Sequence, residues 1–175
     1  MATAVSRVAR AFGLEGATWL RHANPWSVYT RIPIPAALVL AVWSRDWIGW
    51  WSLVPVAMVC AWAAVNPTAF PPPLSLDHWA SKAVLGEQFW GARATVPIPR
   101  SHRTAATVLA VVSALGLPPL VWGLVVLDGW MVATGLVLQM IAKIWLLDRM
   151  VWLYEDMTRA PAERVVAPRS TDDGR

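Results

Sequence analysis

Charge is scarce in this chain. Only 15% of its 175 residues are Asp, Glu, Lys or Arg, against about 25% in soluble domains, so the composition does not suit an ordinary water-facing surface. Cysteine is nearly absent: Cys60 stands alone, which excludes an intrachain disulfide and leaves the compartment unread. In its apolar run the thiol reads as a small buried hydrophobe. No h-region of signal-peptide length precedes a small-residue cleavage site near the N-terminus. Also missing are a Gly-rich phosphate loop, a nucleophile–base constellation and any cofactor motif. No cofactor is therefore expected, and no catalytic residue can be named.

What is plentiful is apolar surface and tryptophan. Hydrophobic residues make up 57% of the chain, and Trp occurs 13 times against five Tyr and Phe together. Indole places an apolar body and one N–H donor at the headgroup level of a bilayer. The expectation is an all-α integral membrane protein: a four-helix bundle of two transmembrane hairpins with cytoplasmic interfacial amphipathic helices. One membrane domain covers 1–158, with transmembrane helices at about 26–44, 47–65, 104–127 and 130–147. The fourth helix extends to about Met157, and 159–175 reads as a disordered tail rich in Pro, Ala and charge.

Breakers set these boundaries. Asn24-Pro25 has the form of an N-cap followed by Pro at the first helical position. Pro33 and Pro35 should bend the first helix, Pro55 the second and Pro118-Pro119 the third. Asn66-Pro67 reads as the turn that ends helix two, and Arg45-Asp46 and Asp128-Gly129 as tight turns. Two interfacial helices are expected, at about 4–20 and 76–90. In the second, Trp79, Ala83, Gly86 and Trp90 share a stripe, opposite Asp77, Ser81 and Gln88.

The charges are distributed unevenly. The two tight turns hold one of the 15 Lys and Arg residues; nearly all the rest lie in the N-terminal arm, the central loop and the tail. By the positive-inside rule that side is cytoplasmic, with both termini on it. Trp43, Trp47, Trp50, Trp51 and Trp130 would mark the outer interface, and Trp26, Trp62 and Trp145 the inner one. The net charge of +4 suits an anionic lipid surface, with no sign of nucleic-acid binding.

Candidate ligand-binding residues gather on the cytoplasmic side. Lys143 lies about one turn inside the interface, a depth that costs roughly 2–3 kcal/mol unless the ammonium is paired or snorkels. Arg31 is the second cation at that depth, and Lys82 lies beside the aromatic stripe. Together they would suit a phosphate or diphosphate headgroup, with Arg31 able to bind it bidentately. Asp77 and Glu87 are the candidate partners of Lys143. With His22, His78 and His102 these carboxylates could form an oxygen–nitrogen metal site, but no His pair has metal-ligand spacing, so no metal is expected. Asp148, Glu155 and Asp156 form an acidic cluster on the fourth helix, most simply a solvated, self-paired face. Leu146, Met150, Leu153 and Met157 make an apolar stripe beyond the membrane, a candidate docking face for a partner.

Several stretches occur together in order: His22-Ala23-Asn24-Pro25-Trp26-Ser27 with Thr30-Arg31; Asn66-Pro67 with Phe70-Pro71-Pro72-Pro73; Trp79-Ala80-Ser81-Lys82 with Gly86-Glu87; and Asp148 to Met157. Together they resemble a family of small, Trp-rich prokaryotic integral membrane proteins of unknown function. The resemblance implies a prokaryotic plasma membrane and carries over no activity or site residues. Three function classes follow. First is a non-catalytic membrane component or partner subunit. Second is an interfacial protein that binds or transforms an anionic lipid or isoprenoid diphosphate. Third is a small transporter or channel working as an oligomer, such as a homo-oligomer, since four helices alone enclose little lumen. Partners are membrane lipids, an anionic headgroup among them, or another protein.

Overall fold

The computed structural model of this chain describes residues 17–163. Every regular element among them is helical. In chain order these are α1 (Ala17–His22), α2 (Pro25–Arg31), α3 (Ile34–Trp43), α4 (Arg45–Ile48), a 3-10 turn (Gly49–Ser52), α5 (Leu53–Ala69), α6 (Trp79–Gly91), α7 (Arg100–Leu115), α8 (Leu117–Val126) and α9 (Gly129–Glu163). Three segments are long and apolar enough to cross a membrane: Pro25–Ala69, Arg100–Val126 and Gly129–Arg159. Most of the interfacial helix expected at 4–20 lies outside the described residues; α1 is the part within them.

Local chemistry explains most breaks. Asn24 caps α2, its Oδ1 accepting the Trp26 amide at 2.9 Å, with Pro25 at the first helical position. The first expected span divides at Ile32-Pro33 into α2 and α3. The third divides at Gly116, just before Pro118-Pro119, which have no amide with which to continue the helical ladder. Gly49 turns the chain between α4 and α5 at φ 56°, in the left-handed region.

Other boundaries differ from expectation. Asn66-Pro67 does not end α5; the helix runs through Pro67 to Ala69, because buried side-chain bonds hold Asn66 in place. The turn expected at Asp128-Gly129 is made one residue earlier, by Leu127 in the left-handed region (φ 59°). Asp128 takes the capping role there, its Oδ1 accepting the Met131 amide at 3.0 Å. α9 continues to Glu163, past the end expected near Met157. Its 35 residues span about 52 Å at 1.5 Å each, well beyond a hydrocarbon core of about 30 Å. The remainder of the expected tail lies outside the described residues.

Packing is organised by α9, which contacts α6, α7 and α8, while α3 packs on α5. One buried cluster joins Ala23, Val28, Ala80, Ala83, Val84, Leu147 and Val151. A second joins Ile98, Ala106, Met150 and Leu153, with Leu146 and Met157 against it. The apolar stripe expected to be open for a partner is thus interior, covered by α6 and the start of α7. Helix α6 is itself buried on two sides. Ser81, expected on its polar face, is fully buried and donates to the Ala23 carbonyl at 2.8 Å. Small residues permit this close approach: a Cβ on Gly86 would lie 1.9 Å from the Met150 carbonyl oxygen.

Elsewhere the pattern is inverted, with large apolar side chains facing outward. Trp47, Trp50, Trp51 and Trp130 are exposed, as are Leu40, Met58, Val121 and Ile141. Cys60, expected to be buried, is also exposed, on α5. Apolar patches of this extent suit hydrocarbon, not water. Arg45 ties the reversal after α3 to the end of α8, donating to the carbonyls of Leu124 and, at 3.1 Å, Val125.

Candidate functional site: a cationic cavity between helices

The site begins with the cap at Asn24. Its Oδ1 sets the start of α2, and its Nδ2 donates to the Pro71 carbonyl at 2.9 Å, pinning α2 to the chain leaving α5. Four residues apart on α2, Ser27 and Arg31 then project from one side. Ser27 meets α5, where its hydroxyl donates to Asn66 Oδ1 at 3.0 Å. Asn66 Nδ2 donates to Thr30 Oγ1 at 2.7 Å, and Thr30 in turn donates to the Trp26 carbonyl at 2.7 Å. Asn66 therefore acts as a buried strut between α2 and α5.

Arg31 turns toward His22. Its Nη1 lies 2.8 Å from His22 Nδ1, and an arginine can only donate, so the imidazole must accept. Burial, reinforced by the positive charges of Arg31 and Lys143, lowers the His22 pKa to about 3. His22 is accordingly neutral at physiological pH. From α9, Lys143 reaches Glu87 of α6 at 3.6 Å, and the Glu87 carboxylate is also within electrostatic reach of Arg31. Two cations thus face one carboxylate, beside a neutral imidazole, leaving a local charge of +1.

These cations border a cavity of about 340 Å³. Besides Arg31 and Lys143 it is lined by Gln139 and Ser113, with apolar walls that include Ile32, Ile34 and Leu147. The Gln139 side-chain nitrogen is buried and has no hydrogen-bond partner. Ser27 and Asn66 stand in two of the stretches that carry the family resemblance, but nothing in those stretches shows that the two side chains meet. A period of about 3.6 places Gln139 above Lys143 on α9, and this was the available signal for it.

The other candidates are held elsewhere. Lys82 pairs with Glu155 at 3.3 Å, away from the cavity cations. His78 caps α6, its Nδ1 accepting the Ala80 amide at 3.2 Å, and stacks edge-on against Tyr29. Asp77 is exposed beside it, its amide bonded to Ser75. The acidic residues of α9 each have a separate partner: Asp148 accepts from Trp79 Nε1 at 3.1 Å, Glu155 meets Lys82 and Arg159, and Asp156 meets buried His102 at 2.6 Å. They form struts to α6 and α7, with no shared chelate. Among the described residues no group of three or more His, Cys, Asp or Glu could hold a metal ion.

The fold and this cavity define a class: an all-helical protein with helices able to cross a membrane and a cationic pocket between them. The chain belongs to DUF6653, a family of unknown function, whose model matches residues 3–172. Neither the curated proteins nor the solved structures contain a match to it.

Proposed function

We propose that this is a non-catalytic multi-pass membrane protein that holds an anionic amphiphile in the cavity between α2, α3, α5, α7 and α9. In this reading the single domain crosses the bilayer four times as two hairpins. The 45-residue segment Pro25–Ala69 supplies two crossings, since at about 1.5 Å per residue it is twice the length one crossing needs. The positive-inside rule puts both termini in the cytoplasm of a prokaryote, and the Arg31–Lys143 end of the cavity on that side.

The observation that carries the reading is the pairing of a local +1 charge with apolar walls. Arg31 and Lys143 share one carboxylate, so an anionic headgroup would balance the cluster, while the walls would take hydrocarbon. Cations so positioned strongly favour an anion once water is excluded. A partner-subunit role loses its candidate docking face, because Met150 and Leu153 are buried within the protein. A transporter needs polar residues through the whole depth of the bundle, and the outer helix ends carry few: Ser44, Arg45, Asp46, Ser52 and Asp128.

Native mass spectrometry of the purified protein tests this directly. The wild type should retain an anionic lipid, and Lys143→Met should lose it with its thermal midpoint in detergent nearly unchanged. A wild type without retained anionic lipid would sink the reading. Protease protection of the C-terminal tail in inverted vesicles would overturn the orientation.

A further inference from the structure

Gln139 distinguishes between the kinds of anion this cavity could take. It lies four residues before Lys143 on α9, so the two share a helix face with their Cα atoms about 6 Å apart along the axis. Its nitrogen is buried with no acceptor from the protein, and Ser113 of α7 lines the same cavity. A buried amide without a partner costs roughly 1–3 kcal/mol, so a ligand that presents an acceptor oxygen at this depth is favoured over one that presents hydrocarbon. An isoprenoid diphosphate carries all its oxygens at the head. A glycerophospholipid carries a phosphodiester at the head and an ester carbonyl several ångströms further along, before its chain.

We propose that the ligand is an anionic glycerophospholipid, its phosphate between Arg31 and Lys143 and the ester carbonyl of one chain accepting from Gln139. The proposal rests on the cavity reading above and specifies it. A volume of about 340 Å³ is near the lower limit of small-molecule sites, about 300–1,000 Å³, so it takes one chain segment below the head, with the rest of the lipid outside.

The test is a competition in native mass spectrometry between 1-oleoyl-lysophosphatidylglycerol, its 1-O-alkyl ether counterpart and farnesyl diphosphate. The wild type should favour the ester over the ether by about tenfold, the worth of one buried hydrogen bond. Gln139→Leu should bring that ratio near one, while Lys143→Met should weaken both lipids. Lys143-dependent retention with no ester preference, or displacement of the ester lipid by farnesyl diphosphate, overturns this inference and leaves the cavity reading standing. Retention of no probe, or retention indifferent to Lys143→Met, overturns the cavity reading itself. Should Gln139→Leu fail to fold, the wild-type ester-to-ether ratio still decides.

Discussion

Ser27 donates a 3.0 Å hydrogen bond to Asn66, and both residues are completely buried where α2 crosses α5. Asn66 also donates to Thr30, so one amide ties two residues of α2 through both of its polar atoms. This junction holds the helix that carries Arg31, and with it one end of the cationic cavity.

Removing the amide should therefore be felt in stability before function. Interhelical polar contacts within membranes contribute about 0.6 kcal/mol on average and up to ~1.7, and Asn66 makes two. Asn66→Leu should lower the thermal midpoint in detergent, and in combination with Ser27→Ala its effect should be less than additive. Strict additivity of the two substitutions would mean that the bond contributes nothing.

Gly86 brings α6 against the backbone of α9 at Met150. A methyl group there would overlap the Met150 carbonyl, and neither backbone can yield without disturbing the Met150–Leu153 cluster. Gly86→Ala should destabilise the protein by about 1–3 kcal/mol or more. A Gly86→Ala protein melting like the wild type would show that α6 does not sit this close to α9.

His22 makes the protein sensitive to acid. Its folded pKa of about 3 lies below the ordinary imidazole value of 6.5, so between these values the unfolded chain binds a proton that the folded chain does not. Its contribution to stability is complete above about pH 6.5 and falls as the pH drops toward 3. The loss is at most ~1.4 kcal/mol per pH unit. His22→Gln keeps an acceptor for Arg31 and removes the titration, so its thermal midpoint should fall less steeply between pH 6.5 and 4.5. Parallel profiles for the two proteins would rule out a neutral, buried His22.

Leu127 holds a left-handed conformation at φ 59° and ψ 38°, which costs a branched side chain about 1–2 kcal/mol. Leu127→Asn, which tolerates this region, should leave the melting temperature unchanged or raise it. A marked loss would mean that burial of the leucine outweighs the strain.

The class of protein, the helix breaks at Ile32-Pro33 and before Pro118-Pro119, and the cap at Asn24 were legible in the sequence. Each depends on residues close together in the chain: a long apolar run, a proline lacking its amide, an asparagine two residues before the amide it accepts. Prolines alone did not locate the end of α5. The signature Asn66-Pro67 reads as a turn, yet Ser27 and Thr30, more than thirty residues away, hold Asn66 inside the helix.

Charge patterning determined which end of the molecule holds its polar chemistry, because flanking cations can be counted without knowing the fold. It did not determine which charges meet. Asp148, Glu155 and Asp156 look like one cluster on one helix, but separate residues of α6 and α7 meet them. Lys82 and Lys143 look like equivalent cations, but only Lys143 faces Arg31 across Glu87 and lines the cavity. Those choices follow from which helix faces pack together, and here α6 lies between α9 and α2. Hydropathy fills helices with apolar residues; tertiary packing decides which of the few polar groups are neutralised and which, such as the Gln139 amide nitrogen, are left without a partner.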